Sequence, residues 1–341
     1  MNFIFDVLSQ KPKYNISVFT SSNSSPYTNQ DYKGVKIWRL GSVSEKTILR
    51  YSSYIIYNLL TTFSLLIKKP DVVLVYETLS IFPAFIYSLV FKNKMFHVHF
   101  HEYLSIPEKE RSSKYMKFLF KCEDKLLKNN TCSQTNEDRK ALFLKDNPNL
   151  NPENVEVYPN LPPKTWWQEF GQHKKTWQGG KIKLVYVGVV DAETMFLEEV
   201  LRWVSENSEE LELTILSQSV SESAKALILK FKSSSIILKP ALNYYQLPSE
   251  LVLHDVGLVL YKGHIPNYVF NVPNKVYEYL SCGLKVWSDP VILSLNNKNI
   301  PDVFVHKFEK IKGGHIQEMK MKLTCLSREL MDKQQSLLDR L

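Results

Sequence analysis

The sequence predicts an α/β fold with two domains, each a parallel β-sheet wrapped by helices. Three observations support this prediction. The chain of 341 residues is longer than one typical domain. Both halves alternate short apolar runs with longer stretches of helical periodicity, which is the pattern of parallel sheets. Between the halves lies a segment rich in Pro, Gly and charged residues without an apolar period, which is typical of a linker.

Short apolar runs mark the predicted strands, and runs such as VVLVY and VGLVLY have the composition of strands buried on both faces. In the first half the predicted strands are Ile16–Thr20, Val35–Leu40, Val72–Tyr76, Phe96–His101 and Val155–Tyr158. In the second half they are Lys183–Val187, Leu211–Leu216, Ile236–Leu238, Val256–Tyr261 and Leu284–Ser288. Ligands of open parallel sheets bind at the carboxyl ends of the strands, so residues directly after strands are the candidates for a site.

These elements give a domain organisation. We expect a first domain over residues 1–162, a linker over 163–180, a second domain over 181–314 and C-terminal helices over 315–341. The start of the chain has no basic region and no small-residue cleavage site, so we do not expect a signal peptide. The longest uncharged run, Tyr51–Ile67, contains Ser, Asn and Thr and is predicted to be a buried or interfacial helix rather than a membrane span.

The cysteines indicate a reducing compartment. They lie far apart, without a CxxC pair or the spacing of a metal site, at Cys122, Cys132, Cys282 and Cys325. Buried free thiols in the cytoplasm are therefore a better interpretation than a disulfide framework.

The charge of the chain is distributed unevenly. Residues 1–150 contain 21 Lys and Arg against 13 Asp and Glu, whereas residues 151–341 contain 22 of each. The net charge of +8 therefore belongs to the first half, which suggests an anionic partner on that half. No nucleic-acid-binding motif accompanies this charge, so we expect no nucleic-acid partner.

A basic helix face concentrates part of this charge. Five lysines of the segment 113–129 fall within about 80° of one another on a helical wheel. They are Lys114, Lys117, Lys121, Lys125 and Lys128. Such a face is either simply solvated, or it contacts anionic headgroups or a lipid-diphosphate acceptor at the inner face of the plasma membrane. The sequence leaves both interpretations open.

The most informative motif runs from Asn271 to Leu284 and reads NVPNKVYEYLSCGL. Pro273 suits the first position of a helix and Gly283 the residue just past its end, which predicts a helix over residues 273–282. Within it, Val276 and Leu280 are four residues apart and face the core, while Lys275, Glu278 and Tyr279 share another face.

The chemistry of this helix suits an anionic ligand. Its N-terminus offers unpaired N–H groups and the positive end of the helix dipole to a diphosphate. A carboxylate one turn into the helix, at Glu278, can accept hydrogen bonds from a ribose diol. A solvated ion pair between Lys275 and Glu278 is the alternative interpretation.

The motif also resembles the donor-site helix of glycosyltransferase family 4 and related GT-B glycosyltransferases, which reads PNK-x-x-E-Y-hydrophobic-x-x-G. The resemblance implies a GT-B fold, in which two Rossmann-like domains face a cleft, and a nucleotide-sugar donor. It further implies that Glu278 holds the ribose, with Asn274 and Lys275 shaping the phosphate end. The other donor-binding residues that we expect are Gly188, Asn271 and Pro273.

The first half carries further similarity to the same enzymes, and the resemblance covers about residues 14–290. Its other matches are Lys69–Glu77, Phe96–Tyr103, Thr131–Gln134 and Val155–Asn160. Phe96–Tyr103 reads FHVHFHEY and resembles the strand-end His-Glu-Tyr of the family. By that resemblance His101 and Glu102 face the acceptor and the sugar, across the cleft from Glu278.

A metal site at this strand is an alternative interpretation of the histidines. His97, His99 and His101 alternate and would share one face of a strand, but the outer pair would be about 13 Å apart. One metal ion cannot bind all three. Two of them with a distant ligand remain an alternative. We expect no metal and no other cofactor, since enzymes of this fold usually need none and no DxD motif is present.

The chain departs from the family pattern at its start. Phe3–Gln10 resembles the helix that in the family follows the first strand and its glycine-rich turn, and Tyr14–Thr20 resembles the next strand. We therefore expect the N-terminal sheet to lack its first strand.

Two further departures concern the donor side. Phe270 occupies the position where the family often has a glutamate. Val189, Val190 and Met195 stand where basic residues would bind the phosphates. Because a leaving diphosphate needs electrostatic stabilisation, we expect Lys262 to supply the missing charge, with Lys275 second.

Together these features predict a hexosyltransferase-type enzyme. It would move a sugar from a nucleotide-diphosphate donor to a glycan or lipid-linked glycan, as in surface polysaccharide biosynthesis, with retention of configuration implied by the resemblance. The catalytic residues would be His101, Glu102, Lys262 and Glu278. Two alternatives remain: a catalytically inactive scaffold that binds a glycan or partner enzyme, and a nucleotide-sugar epimerase.

Overall fold

The computed structural model describes residues 14–22, 27–32, 35–42, 47–171, 177, 179–296, 300 and 302–324. The chain divides into two compact units, Met1–Tyr158 and Pro159–Leu341. This division lies close to the boundary at residue 162 that the sequence suggests.

The described part of unit 1 contains two sheets. The first has the order β1-β3-β2, with β1 parallel and β2 antiparallel to β3, and consists of β1 (Ser17–Ser22), β2 (Tyr27–Tyr32) and β3 (Val35–Ser42). The second is parallel, in the order β4-β5-β6-β7, and consists of β4 (Val72–Tyr76), β5 (Met95–His99), β6 (Thr131–Gln134) and β7 (Val155–Val157). The α-helices are α1 (Thr47–Lys68), α2 (Ile81–Val90), α3 (Ile106–Arg111), α4 (Lys114–Leu127) and α5 (Glu137–Asp146). Short 3₁₀ turns cover Thr78–Ser80 and Pro152–Asn154.

The core of unit 1 lies between the parallel sheet and the helices α2 and α4. Val98 from β5 and Leu119 from α4 are fully buried there. The continuous apolar run of β4 predicts burial on both faces, but the structure buries only one. Val73 and Val75 face the core, whereas alternate residues of the strand, such as Leu74, are exposed. The prediction of two-sided burial is therefore wrong for this strand.

The described residues of unit 2 form one parallel sheet in the order β10-β9-β8-β11-β12-β13. Its strands are β8 (Ile182–Val187), β9 (Leu211–Ser217), β10 (Ile236–Pro240), β11 (Val256–Val259), β12 (Lys285–Ser288) and β13 (Val303–Val305). Its helices are α6 (Lys164–Trp166), α7 (Leu197–Glu206), α8 (Glu222–Lys230), α9 (Leu247–Leu251), α10 (Pro266–Val269), α11 (Asn274–Ser281), α12 (Leu293–Asn296) and α13 (Gly314–Thr324). A π-helical turn covers Trp167–Gly171 and a 3₁₀ turn covers Phe308–Lys310.

Two layers of side chains sandwich the sheet of unit 2. All four residues of β11 are buried, as predicted for a central parallel strand. One face packs against α7 and the other against α11. Trp203 of α7 meets Trp287 of β12 edge to face, with ring centroids 5.2 Å apart, which fixes the first of these contacts.

The segment 163–180 has structure of its own. The sequence suggests a linker there, but Trp166 and Trp167 are buried, and Trp166 belongs to the core that surrounds α11. Gly171 comes so close to the end of α11 that a Cβ atom there would lie 2.6 Å from the carbonyl oxygen of Ser281. The segment therefore supports α11.

Some predictions fall outside the described residues. These are the helix Phe3–Gln10, the C-terminal helix beyond residue 324 and the thiol of Cys325. Cys122, Cys132 and Cys282 are buried free thiols. Along the described stretches, none of the helices combines the length and apolar character needed to cross a bilayer.

Candidate functional site

Helix α11 is held against the sheet of unit 2 by a tyrosine and a glycine. Tyr279 is fully buried, and its hydroxyl accepts a hydrogen bond from the amide of Val187 at 3.0 Å. The ring covers Gly257 of β11 so closely that a Cβ atom there would lie 2.1 Å from it. Only glycine permits this approach. Val276 and Leu280 are also buried, as their spacing predicts.

The ends of α11 differ slightly from the predicted ones. Pro273 is the N-cap residue, with φ −61° and ψ 145°, rather than the first helical residue. Gly283 follows the helix with φ 78°, a conformation that favours glycine, as its place in the motif predicts. At the N-terminus, Asn274 is exposed and Asn271 half-buried. Asn274, the first residue of α11, is thus accessible to solvent.

Lys275 lies in a cage of tyrosines. Its Nζ donates a hydrogen bond to the hydroxyl of Tyr186 at 3.1 Å and lies 4.2 Å from the centre of that ring and 4.9 Å from the centre of Tyr261. Burial disfavours the ammonium form, but the surrounding tyrosines raise the pKa of Lys275 overall, so the side chain stays cationic. Only 9% of the residue is exposed. A solvated ion pair is therefore excluded for this lysine.

The cation of Lys275 lies beside the turn that follows β8. Gly188 adopts φ 134°, and a Cβ atom there would lie 3.2 Å from Nζ of Lys275. The sequence predicts a donor-binding role for both residues, and the structure brings them together. Because glycine has no Cβ atom, a phosphate could approach the backbone at Gly188 more closely than it could at a residue with a side chain.

Lys262 fastens the same loop from the other side. Its backbone amide donates to the carbonyl of Thr194 at 2.9 Å, and its Nζ donates to the carbonyl of Ala192 at 3.3 Å. The side chain is half-buried. Of the three positions that lack basic residues, Val190 and Met195 pack into the core, whereas Val189 is exposed. Lys262 and Lys275 are thus the cations that flank the loop after β8.

Glu278 is a buried carboxylate. Only 9% of the residue is exposed, and within the described part of the chain no group donates a hydrogen bond to it. Burial raises the pKa of Glu278 to about 7, against the nearby charge of Lys275, which lowers it. The carboxylate oxygens are not among the fully buried unpaired atoms of the described residues, so a polar ligand can reach them.

Tyr244 and Trp166 form an aromatic wall near Glu278 that the sequence did not indicate. Their ring centroids are 4.8 Å apart. Burial first, and the charge of Glu278 second, raise the pKa of Tyr244. No periodicity or motif marks these residues, since one belongs to the segment taken as a linker and the other to a short loop after β10.

In unit 1, the predicted residues His101 and Glu102 follow one residue after β5 ends at His99, at the carboxyl end of the sheet. His101 is half-buried and Glu102 exposed. Three groups hold this strand-end loop. Oε1 of Glu77 accepts hydrogen bonds from the amides of His101 and Glu102 at 2.5 and 3.0 Å. Nη1 of Arg139 donates to the carbonyl of His101 at 2.6 Å, and the hydroxyl of Tyr103 donates to Asp146 at 2.6 Å.

Glu77 and Arg139 are functional candidates that the sequence reasoning missed. Both follow or lie close to the carboxyl ends of strands, β4 and β6, which is the available signal. Arg139 is only 2% exposed. The sequence predicts functional residues of unit 1 only in the loop, at His101 and Glu102, whereas the structure adds the side chains that hold this loop.

The alternating histidines of β5 are bound to hydroxyl groups. His97 meets Thr131 and Ser133 at 2.8 Å each, and His99 meets Ser133 at 2.9 Å. Among the described residues, no three His, Cys, Asp or Glu side chains are grouped so that they could hold a metal ion.

The five lysines of the basic helix face are exposed, as the helical wheel predicts: Lys114, Lys117, Lys121 and Lys125 of α4, and Lys128, which caps its C-terminal end. Leu119, Cys122 and Leu126 form the buried stripe on the other side. Ser113 caps the helix by accepting a hydrogen bond from the amide of Met116 at 3.3 Å. The helix therefore presents a continuous basic face.

Comparisons with known proteins agree on the fold. No protein-family model and no curated protein matches the sequence. A sucrose-phosphate synthase from Thermosynechococcus elongatus superimposes with a TM-score of 0.64 at 11% identity, over 100% of this chain and 93% of that one. An α,α-trehalose-phosphate synthase (UDP-forming) from Burkholderia xenovorans gives 0.64 at 9% identity, over 95% and 90%. WaaG, a glycosyltransferase involved in lipopolysaccharide biosynthesis, gives 0.60 at 14% identity, over 96% and 86%.

These identities are low, so the likeness concerns the fold. It confirms the predicted resemblance to GT-B glycosyltransferases and the α/β fold class with two Rossmann-like domains.

Proposed function

We propose that the protein is a glycosyltransferase that uses a nucleotide-diphosphate sugar. The observation that carries the proposal is Glu278, a buried carboxylate that no described residue binds, one turn into a helix whose N-terminus stands beside a glycine turn and two lysines. A ribose diol would donate the hydrogen bonds that the carboxylate lacks. The fold shared with a sucrose-phosphate synthase and with WaaG supports this choice among the functions of α/β proteins.

In this proposal the diphosphate lies between Gly188 and the N-terminus of α11. The first amides of the helix and the positive end of its dipole bind the phosphate oxygens, and Asn271 and Asn274 line the entrance. Lys275, whose Nζ lies next to Gly188, supplies a fixed positive charge. No metal ion or other cofactor takes part in the proposal.

Catalysis then consists of positioning and electrostatic stabilisation. As the bond between the sugar and the diphosphate breaks, negative charge accumulates on the leaving group, and Lys275 and Lys262 stabilise it. His101 and Glu102 of unit 1 would contact the acceptor hydroxyl and the sugar. We further propose a hexose-type donor, a glycan or lipid-linked glycan acceptor in surface polysaccharide biosynthesis, and retention of configuration. The anomeric proton signals of the product in NMR spectra decide the last of these points.

The decisive experiment is calorimetric titration with UDP, GDP and their sugars, followed by assays of donor hydrolysis and transfer. We expect wild-type protein to bind one nucleotide family. Glu278→Ala and Lys262→Ala should lose turnover, whereas Glu209→Ala and Lys225→Ala, exposed residues of the same unit, should not. If both site variants turn over like wild type, the site assignment is wrong.

A catalytically inactive scaffold is the second candidate function. It is favoured by the loop after β8, where Val190 and Met195 are packed into the core and Val189 is exposed, so none of these three positions offers a basic side chain to a phosphate. Such a protein would bind a glycan or a partner enzyme. Calorimetry separates the two, because a scaffold need not bind any of the nucleotides tested. A nucleotide-sugar epimerase, the third possibility, would release free epimerised sugar without an acceptor.

We also propose that unit 1 contacts an anionic membrane surface from the cytoplasmic side. Helix α1 turns polar residues inward, since Asn58 and Thr61 are buried, and leaves apolar ones such as Leu59 and Phe63 exposed at 58% and 64%. Helix α2 packs against both α1 and α4, so all three belong to one layer. The exposed lysines of α4 complement anionic headgroups. The apolar side chains of α1 are suited to the boundary between the headgroups and the acyl chains.

Flotation with vesicles tests this surface. We expect binding to phosphatidylcholine vesicles that contain phosphatidylglycerol, and loss of binding when the five lysines of the basic helix face are changed to glutamine or when Phe63 is changed to glutamate. Vesicle binding that is unchanged after the five lysines are replaced rejects the proposal. A concentration-dependent dimer in light scattering that Phe63→Glu abolishes also rejects it, because the apolar face would then bind a second copy of the chain.

A further inference from the structure

Glu77 has a backbone conformation that is nearly restricted to glycine. The residue follows β4 with φ 63° and ψ 159°. For a residue with a Cβ atom this region is strained, and such strain persists only where the surroundings enforce it. The amide of Glu77 donates to the carbonyl of His99 at 3.0 Å, which ties the strained residue to the neighbouring strand. A strained glutamate at the carboxyl end of a parallel strand indicates a function.

The strained backbone directs the carboxylate onto two successive amides. Its Oε1 accepts from the amides of His101 and Glu102, at 2.5 and 3.0 Å, while Oε2 has no hydrogen bond to any described residue. Two consecutive amides converging on one oxygen form an anion-binding nest, which fixes the peptide plane between them. The contact therefore determines the direction in which the side chains of both residues leave the backbone.

Charged groups surround this contact on every side. Glu102 and the buried Glu123 of α4 act on Glu77 with like charge, and Lys109 of α3 lies 3.4 Å from Glu123. Tyr76 precedes it on β4, and Arg139 of α5 binds the carbonyl of the same peptide unit. Burial, opposed by the two amides, raises the pKa of Glu77 to about 7.

We propose that Glu77 is a positioning residue that fixes the backbone of His101 and Glu102 and thereby orients the acceptor side of the site. This inference rests on the proposed function, because it gives those two residues their contact with the acceptor. An ionised carboxylate accepts hydrogen bonds from amides more strongly than a carboxylic acid does, so the contact tightens as the pH rises. Glu77 itself touches neither donor nor acceptor in this account.

Three substitutions separate positioning from folding. Glu77→Gly removes the carboxylate and also relieves the backbone strain, so we expect a thermal midpoint at or above that of wild type together with a loss of turnover on the order of 10–100-fold. Glu77→Ala keeps the strain and should lose both stability and turnover. Glu77→Gln still accepts both hydrogen bonds and should keep most of the turnover. Glu153→Gln, an exposed residue before β7, is the matched control.

Turnover is measured as donor hydrolysis, with water as the acceptor, between pH 5.5 and 8.5. Wild-type turnover should rise through about pH 7, and Glu77→Gln should show a smaller rise, because Glu278 of the donor site also has a pKa of about 7. The ¹⁵N-resolved amide signals of His101 and Glu102 should shift over the same range in wild type, and the shift at Glu102 should be much smaller in Glu77→Gln. Calorimetry should give all variants the wild-type affinity for the nucleotide, which binds to unit 2.

The outcomes distinguish the two proposals. A wild-type protein that binds no nucleotide overturns the proposed function, while the amide signals still decide whether Glu77 holds the loop. Nucleotide binding together with wild-type turnover of Glu77→Gly overturns the positioning role. Amide signals that do not respond to pH in wild type overturn the contact between Glu77 and the loop.

Discussion

The change of Lys275 to methionine tests the cation at the donor site most sharply. Methionine has a similar length and fills the space between the rings of Tyr186 and Tyr261 without a charge. In wild type the ammonium group gains a hydrogen bond to Tyr186 and contacts with both rings, at 4.2 and 4.9 Å. These contacts contribute about 1 kcal/mol each.

The same charge is costly for the fold. Removing an ammonium group from water costs several kcal/mol, even after the protein relaxes. The favourable contacts, about 3 kcal/mol together, offset much of this penalty. We therefore expect Lys275→Met to change the free energy of unfolding by less than about 1 kcal/mol, or to increase it. A lysine maintained at such a cost is expected to act on a ligand.

The loss should appear in nucleotide affinity. A hydrogen bond to a charged group contributes about 1.5–3 kcal/mol, which corresponds to a Kd for UDP or GDP that is about 10–150-fold higher. Urea denaturation and calorimetry measure the two quantities, with Lys225→Met as an exposed control. The reasoning is refuted if Lys275→Met destabilises the protein by more than about 3 kcal/mol and leaves the Kd unchanged.

Three further substitutions test the packing of α11, the conformation at its end and the burial of Glu278. Gly257→Ala would place a Cβ atom 2.1 Å from the ring of Tyr279, so we expect a loss of at least about 1–3 kcal/mol in urea denaturation, whereas Gly314→Ala, with open space around it, should be nearly neutral. Gly283→Ala forces alanine to φ 78° and should cost about 1 kcal/mol in the same measurement; an unchanged midpoint would show that the end of α11 relaxes freely. Burial raises the pKa of Glu278 to about 7, so its ionised form destabilises the fold. Through this group, the free energy of unfolding of wild type should be up to about 3 kcal/mol higher at pH 4.5 than at pH 8. Glu278→Gln should lack the part of the gain that Glu278 contributes, while the part from Glu77, whose pKa burial also raises to about 7, remains; equal pH dependence of both proteins contradicts the assignment.

The strands could largely be predicted from the sequence because buried parallel strands consist of continuous apolar runs. Val72–Tyr76 agrees with β4 at both ends, and the other predicted strands overlap observed ones with small differences at their ends. β2 was not predicted, because the sequence YTNQDY is polar and pairs antiparallel at the side of a small sheet. β13 has only three residues, too few for a pattern.

The donor side could be predicted further than the acceptor side. Lys275 and Glu278 lie on a helix whose start and end are marked by Pro273 and Gly283, so spacing alone places them on one face. Their burial was not predictable, because it depends on tyrosines that approach from other strands and loops. Glu77 directly follows the predicted strand Val72–Tyr76, which is the only signal in the sequence; its distinguishing features, a backbone angle and two amide contacts, leave no mark there.

The most direct test of the donor site is a crystal structure of the full chain with bound UDP or GDP. We predict that the ribose hydroxyls lie within hydrogen-bonding distance of the Glu278 carboxylate, about 3 Å, and that the phosphates lie between Gly188 and the N-terminus of α11. A nucleotide bound elsewhere, or a Glu278 that keeps its carboxylate away from the ribose, would contradict the account.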